Sequence, residues 1–169
     1  MRIALIGAML ALAPALTPPL FAAPAPQTPA QSAKAFLDGI YVPWVRQLHT
    51  RNGRSFKMPA DELIYVPELV QLMKKDQRNS ARTGDVGVID WVILCNCQDD
   101  GGMTATVTIT AATATTATAK VSLGFGGNDR QIITLKLVKL PQGWRIADVA
   151  DSDMPSLLAL LRKDLGNKR

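Results

Sequence analysis

The second half of the chain alternates between apolar and polar residues with a period of two, which is typical of β-strands that bury one face. The alternation is clearest around Val107, where valine and isoleucine stand between threonines. It recurs in four segments, which are residues 104–110, 116–125, 131–140 and 144–150. The first turn is expected at residues 111–115, and glycine, asparagine and proline mark the other two, so we expect a four-stranded antiparallel meander.

On both sides of this β-rich region, apolar residues recur every three or four positions, as they do along one face of a helix. Ser32 is a candidate cap for the first helix, and Pro43 should kink or divide it. Pro67 fits the first turn of a second, short helix, and the polar run 74–85 predicts a loop after it. A leucine stripe that ends at Gly166 predicts a closing helix.

Residues 86–94 are apolar and β-branched and predict a short strand or extended segment. The order of elements predicts an α+β fold: N-terminal helices packed on a curved four-stranded antiparallel sheet, with a closing C-terminal helix. We expect one domain over residues 32–166. Eight threonines lie between Thr104 and Thr118, and their strict alternation favours a solvated sheet face over a glycosylated stalk.

The first 23 residues have the features of a secretory signal peptide. Arg2 supplies the positive charge, residues 3–13 form an uncharged apolar run, and small residues follow at 22–23. A membrane-spanning helix needs about 20 apolar residues, and three prolines interrupt this stretch. We expect a Sec-type signal, a periplasmic or secreted mature protein, and no membrane span after cleavage. Residues 24–31 contain three prolines and predict an extended leader.

Composition excludes several classes of function. The chain is 47% apolar and 20% charged, the balance of a globular protein. Without residues 1–23 it has 18 basic and 14 acidic residues, and the positive charge is scattered. Because a nucleic-acid binder would show a contiguous basic stripe with stacking aromatics, no nucleic-acid partner is expected. His49 is the single histidine and there are two cysteines, so neither a metal centre nor another cofactor is expected.

Cys95 and Cys97 are a candidate disulfide, because cysteines usually pair in an oxidising compartment. On an extended strand, residues two apart have Cα atoms about 6.5 Å from each other, near the upper limit for a disulfide. Pairing therefore requires a bent loop. Free thiols, intermolecular pairing and a thiol–disulfide exchange role remain open alternatives. A metal site that adds His49 lacks an obvious fourth ligand.

Several short motifs extend across residues 32–165. They are Ala35-Phe36-Leu37 with Tyr41, Cys95-Asn96-Cys97-Gln98-Asp99, Trp144-Arg145-Ile146 and Ser156-Leu157-Leu158. In these the chain resembles a bacterial envelope family known as domain of unknown function 3828, within the nuclear-transport-factor-2-like or SnoaL-like cone fold. The resemblance implies a fold and a compartment, but no catalytic residue, because relatives with this fold include enzymes and non-catalytic binding modules.

We interpret the chain as a binding module whose partner is an envelope protein or a small apolar ligand. One version is an immunity or accessory protein that masks another protein's active site. A homodimer through the open sheet face is a further hypothesis. Residues that could line the mouth of the cone are the candidate ligand contacts: Tyr41, Trp44, Asp90, Trp91 and Asp99. The alternative is a small enzyme with isomerase-like or hydrolase-like acid–base chemistry, using Asp90 or Asp99 with Tyr41.

Overall fold

The computed structural model describes residues 26–50 and 56–167, without the side chain of Asn167. The predicted signal peptide, residues 1–23, lies outside this set. The helices of the described residues are α1 (Pro29–His49), α2 (Asp61–Ile64), α3 (Pro67–Thr83) and α4 (Leu157–Asn167). The strands are β1 (Thr104–Ala112), β2 (Thr116–Gly124), β3 (Arg130–Leu140) and β4 (Gly143–Ala150).

The four strands form one antiparallel sheet in the order β1-β2-β3-β4, so the predicted meander and the α+β class are confirmed. Val107 of β1 faces Val121 of β2, which faces Ile133 of β3. The register shifts after Ile109 in the β1–β2 pair and again in the β3–β4 pair. Shifts of this kind increase the local twist and bend the sheet.

One face of the sheet is covered and the other is open. On the covered face, the alternate residues of the strands are buried, for example Ala119, Leu135 and Ile146, none of which is exposed to solvent. Helix α1 packs on this face, mainly against β1. Near its start, Ser32 accepts a hydrogen bond from the Trp144 indole at the beginning of β4, and its last residue reaches the residue before β1. Helix α4 packs on α3 and β4 and completes the core.

Helix α1 differs from the prediction at its start and at Pro43. It begins at Pro29, because Thr28 and Gln31 form a capping box: each side chain bonds the backbone of the other. Residues 29–31 are therefore helical, and the helix begins three residues before Ser32, the predicted start. Pro43 neither divides nor ends the helix. Its side chain faces solvent, while Trp44 beside it packs in the core.

The region between α1 and the sheet departs most from the prediction. Helix α3 continues to Thr83 and ends at Gly84, whose φ of +77° suits glycine. Residues 74–83 are thus helical rather than a loop, because their polar side chains cover the solvent side of the helix. The strand predicted over residues 86–94 is also wrong: that segment contains turns and one isolated bridge, between Val92 and Cys97.

None of the helices in the described residues is both long enough and apolar enough to cross a membrane.

Candidate functional site

Two of the predicted ligand contacts, Tyr41 and Trp44, are core residues with bonded polar groups. The Tyr41 hydroxyl is buried and donates a hydrogen bond to the Leu94 carbonyl at 2.7 Å. The Trp44 indole N–H donates to the Asp100 carboxylate, also at 2.7 Å. The two rings stack with their centroids 6.0 Å apart. Both residues therefore attach α1 to the loop before β1, and the loop closes over them.

Burial also suppresses the acid–base chemistry of Tyr41. Desolvation raises the pKa of its hydroxyl well above the usual value, and a negative charge on Tyr65 would raise it further. A general acid or base works best when its pKa lies near the operating pH, which excludes this phenol at neutral pH.

The carboxylates proposed to act with Tyr41 lie elsewhere. Asp90 and Asp99 are both exposed. Asp99 accepts a hydrogen bond from the Gly101 backbone N–H at 2.8 Å, which forms a local turn. Trp91 is half-buried, and its indole nitrogen has no hydrogen-bond partner among the described residues. None of the five hollows found in the described residues is lined by more than one of Tyr41, Asp90 and Asp99.

Cys95 and Cys97 form a disulfide, and the loop bends as the sequence requires. Their Cα atoms are 5.1 Å apart, because Asn96 between them adopts a left-handed conformation with φ of +47°. The Val92 N–H donates to the Cys97 carbonyl at 2.8 Å across the base of this loop. The bridge thus fixes the segment whose Leu94 carbonyl is bound by Tyr41.

The surroundings of the disulfide disfavour thiol exchange. Cys95 is fully buried, with its sulfur 3.5 Å from the Val92 carbonyl oxygen, while Cys97 is partly exposed. An incoming thiolate has access only to Cys97 and would expel Cys95 as a thiolate into a buried site facing a carbonyl. Such a site destabilises a thiolate and makes it a poor leaving group. The geometry therefore favours a structural bridge.

A metal site with His49 is not formed by the described residues. The two cysteines are bonded to each other, and the His49 ring nitrogen lies 3.1 Å from the Met103 carbonyl oxygen. Among the described residues, no three histidine, cysteine, aspartate or glutamate side chains are grouped so that they could hold a metal ion.

The largest of the five hollows, about 450 Å³, lies between α3 and the segment at Gly87. The buried Asp76 carboxylate accepts hydrogen bonds from the Val88 and Ile89 N–H groups, each at 3.0 Å, and so holds this segment on the helix. Asp61 also lines the hollow, and its pKa is raised, mainly by burial and then by Glu62. Asp76 therefore has a structural role that its position in a polar run did not reveal.

The open face of the sheet is polar and carries positive charge. One row across it is Thr106, Ser122 and Ile132, and the next is Thr108, Lys120 and Thr134. Threonines 104, 106, 108 and 110 are all exposed, as the alternation predicted. Ile132 is 55% exposed and is the one large apolar side chain that protrudes from the described strands.

The charged residues of the four strands are mostly basic. The strands contain five basic residues and a single acidic residue, Asp148. Lys120, Arg130 and Lys136 lie on the open face, whereas Lys139 pairs with Trp144 on the other face with its ammonium 5.8 Å from the ring centroid, and Arg145 donates to the Glu62 carbonyl. Asp148 is only 6% exposed. Its carboxylate accepts hydrogen bonds from the Val149 and Leu158 N–H groups and lies 3.5 Å from Lys136. This carboxylate therefore pairs with Lys136 and holds the start of α4, while Lys120 and Arg130 have no ion-pair partner among the described residues.

At the end of the sheet near the β2–β3 turn, the open face deepens into a hollow of about 350 Å³. Its wall carries the Thr104, Thr106 and Ser122 hydroxyls, backbone from a run of glycines, and two adjacent residues of opposite charge, Asp129 and Arg130. Gly124 is required there, because a Cβ at that position would lie 2.9 Å from the Thr104 hydroxyl oxygen. The hollow adds hydrogen-bonding groups to the cationic face.

The cationic face was not among the predicted site residues. The sequence signal existed, since basic residues outnumber acidic ones five to one in the strands. Recognising it requires knowing which side of each strand is covered, and that depends on where α1 packs on the sheet.

Comparison with known proteins adds no family assignment. No protein-family model matches the chain, and no curated protein matches it. The predicted resemblance to an envelope cone-fold family therefore stays a prediction.

Solved structures give distant similarities. One is a chain of the type VI native effector–immunity complex Tae3–Tai3 from Ralstonia pickettii, with 18% identity, a TM-score of 0.47, and coverage of 72% of this chain and 95% of that one. Another is a phospholipid-binding protein from Ralstonia solanacearum in complex with a phospholipid, with 13% identity, a TM-score of 0.40, and coverage of 83% and 87%. The fold described above therefore depends on the elements of this chain itself.

Proposed function

We propose that this protein is a non-catalytic binding module of the bacterial envelope, and that the open face of its sheet binds the acidic surface of a protein partner. The compartment follows from the signal peptide predicted in residues 1–23. The observation that carries the proposal is the one-sided charge of the strands: cations stand among hydroxyls, and the one carboxylate is buried and bonded.

The chemistry of the face suits an acidic, hydrogen-bonding partner. Lys120 and Arg130 have no ion-pair partner among the described residues, so both charges are available to carboxylates of a second protein. Threonine and serine hydroxyls between them both donate and accept hydrogen bonds. Complementary charge of this kind raises the association rate and selects the partner.

Two other occupants fit the face less well. A second copy placed face to face would oppose Lys120 and Lys136 to the same residues without available carboxylates, and like charges across an interface are unfavourable. Binding to an anionic membrane is stabilised by about 1 kcal/mol for each nearby cation. Among the described residues, the open face offers only Lys120, Arg130 and Lys136, so this attraction is weak. Ile132 alone also supplies little apolar area for insertion between lipids.

Differential capture from an envelope extract tests the proposal. The mature protein, a Lys120→Glu/Lys136→Glu variant, and a Lys34→Glu/Lys163→Glu control are immobilised and compared. The control has the same change in charge, placed on α1 and α4. Circular dichroism and thermal unfolding establish that all three are folded, and mass spectrometry identifies what each retains. The single variants Lys120→Ala and Lys136→Ala repeat the comparison without charge reversal.

We expect one acidic protein that is retained by the mature protein and by the control but lost from the open-face variant. Purified, it should bind the mature protein with an affinity that falls as salt increases. Retention of the same proteins by all three baits would overturn the proposal. Retention of lipid rather than protein by the open face would overturn it as well.

A further inference from the structure

The outer edge of β1 is an unprotected strand edge. Strand β1 pairs with β2 on one side, and no described segment pairs with its other side. Its nine residues, Thr104–Ala112, include no charged residue, proline or glycine. Proteins usually protect such an edge with lysine, proline or a covering segment, because its free N–H and C=O groups are a template for another strand.

The opposite edge of the same sheet is protected in these ways. Tyr65 forms a parallel bridge with Ile146 of β4, and the Val66 N–H donates to the Ile146 carbonyl at 3.0 Å. Arg145 of β4 is charged and donates to the Glu62 carbonyl at 3.0 Å. The chain therefore covers one edge and leaves the other, which consists of uncharged residues of high β propensity, free to pair.

We propose that β1 is a dimer interface, in which two copies of this chain pair their β1 strands antiparallel across a two-fold axis perpendicular to the sheet. The result is a continuous eight-stranded sheet. This interface is separate from the open face proposed to bind a partner, and either one can fail without the other.

The sequence of β1 complements itself in registers centred near Val107, before the register shift that follows Ile109. Residues directly opposite each other in an antiparallel pair point to the same face. Threonines at 104, 106 and 108 all lie on the open face, and apolar residues 105, 107 and 109 lie on the covered face. Over residues 104–109 threonine therefore meets threonine and apolar meets apolar, and both kinds of cross-strand pair are favourable.

The course of α1 leaves room for a second copy. The helix reaches β1 at its beginning, where His49 lies against Met103. At its other end the Trp144 side chain of β4 reaches Ser32, while most of the helix packs on β1, whose outer backbone edge stays unpaired among the described residues. Residues Ala111 and Ala112 at the far end of β1 are exposed. In an antiparallel dimer, the exposed end of one β1 lies beside the helix-covered end of the other, so the two α1 helices are offset along the seam.

The dimer also brings two of the proposed binding faces together. The perpendicular two-fold axis places both open faces on the same side of the eight-stranded sheet. Two cationic faces then lie side by side, and a partner with two acidic patches gains from effective concentration.

Sedimentation equilibrium over a hundredfold range of concentration tests the dimer. The mature protein is compared with a Thr106→Lys/Thr108→Lys variant, which places lysines at the edge, and with a Thr118→Lys/Ser122→Lys control. The control carries the same charge on the same face but in β2, one strand from the edge. Thermal unfolding establishes that the variants are folded.

A Thr106→Cys/Thr108→Cys variant gives a second measurement that does not depend on charge. Opposed residues have Cα atoms about 5 Å apart, within reach of a disulfide. Mild oxidation should therefore link two copies when the two-fold axis passes near Val107. A Thr118→Cys/Ser122→Cys variant in β2 is the matched control and should remain unlinked.

The expected result is a monomer–dimer equilibrium for the mature protein and for the β2 lysine control, with the β1 lysine variant monomeric at every concentration. A monomeric mature protein over the whole range would overturn the proposal. So would a dimer that persists in the β1 lysine variant, or one that is lost only when β2 is changed.

Discussion

The Tyr41 hydroxyl donates a buried hydrogen bond to the carbonyl of Leu94, 53 residues later in the chain. This bond joins α1 to the loop that the Cys95–Cys97 disulfide closes. Tyr41, which the sequence suggested as an acid–base group in a pocket, is therefore a core residue whose hydroxyl is hydrogen-bonded. The binding face proposed above lies on the other side of the sheet.

Replacing Tyr41 with phenylalanine should destabilise the fold and leave partner binding intact. The substitution keeps the ring and leaves the Leu94 carbonyl buried without a donor, which costs about 1–3 kcal/mol of unfolding free energy. Urea denaturation measures the loss, and binding is measured at a temperature where the variant is folded. If the folded variant no longer bound the partner, Tyr41 would belong to the binding site.

Alkaline pH should unfold the protein through its two tyrosines. Burial raises the pKa of Tyr41 and of Tyr65, and Asp61 raises that of Tyr65 further. Above pH about 10 the unfolded chain loses phenol protons that the folded chain keeps, so stability falls by up to about 1.4 kcal/mol per pH unit for each tyrosine. Below that pH neither tyrosine contributes a pH dependence.

Absorbance at the phenolate band measures this directly, since the chain contains only these tyrosines. We expect no phenolate signal until the protein unfolds, and then a cooperative rise that coincides with the loss of circular dichroism. In denaturant both phenols should titrate near pH 10. A phenolate signal near pH 10 in the folded protein would contradict the burial of both rings.

The disulfide should resist mild reductant in the folded state. Cys95 is enclosed, and its release as a thiolate faces the Val92 carbonyl. Thiol titration during incubation with a monothiol reductant should detect no free thiol in native protein and two thiols per chain after unfolding. Reduction of the native protein at the rate of the unfolded one would restore the redox hypothesis.

Gly87→Ala should destabilise the protein, whereas Gly39→Ala should not. A Cβ at Gly87 would lie 2.7 Å from the Asp76 carboxylate, so the segment held by that carboxylate must move, at a cost of about 1–3 kcal/mol. Gly39 lies in α1 with open space around its Cα, and alanine there should raise the free energy of unfolding by about 0.5–1 kcal/mol. Thermal unfolding of both variants compares the two glycines; equal effects would contradict the close contact at Gly87.

The strands and the closing helix could be predicted from the sequence because their patterns are local. Alternation around Val107 fixes which residues share a face, and a leucine stripe fixes the buried side of α4. Helix α3 was predicted too short, because residues 74–83 are polar and a solvent-facing helical turn resembles a loop in composition.

Contacts between distant residues could not be predicted in this way. Asp99 and Asp100 are adjacent, yet one caps a local turn and the other accepts a bond from Trp44, 56 residues away. Asp76 and Asp148 likewise bind backbone N–H groups of other segments. Only the fold shows that these carboxylates are already engaged, and that among the strand cations of the open face Lys136 pairs with Asp148 while Lys120 and Arg130 have no ion-pair partner among the described residues.

The most direct test of the proposed binding face is lysine footprinting of the protein bound to its captured partner. Acetylation of lysines is compared by mass spectrometry in the free and bound states, with Lys34 and Lys163 on the helices as internal references. The account predicts that Lys120 and Lys136 become protected while the references stay reactive. Unchanged reactivity at Lys120 and Lys136, with protection at the helix lysines, would contradict it.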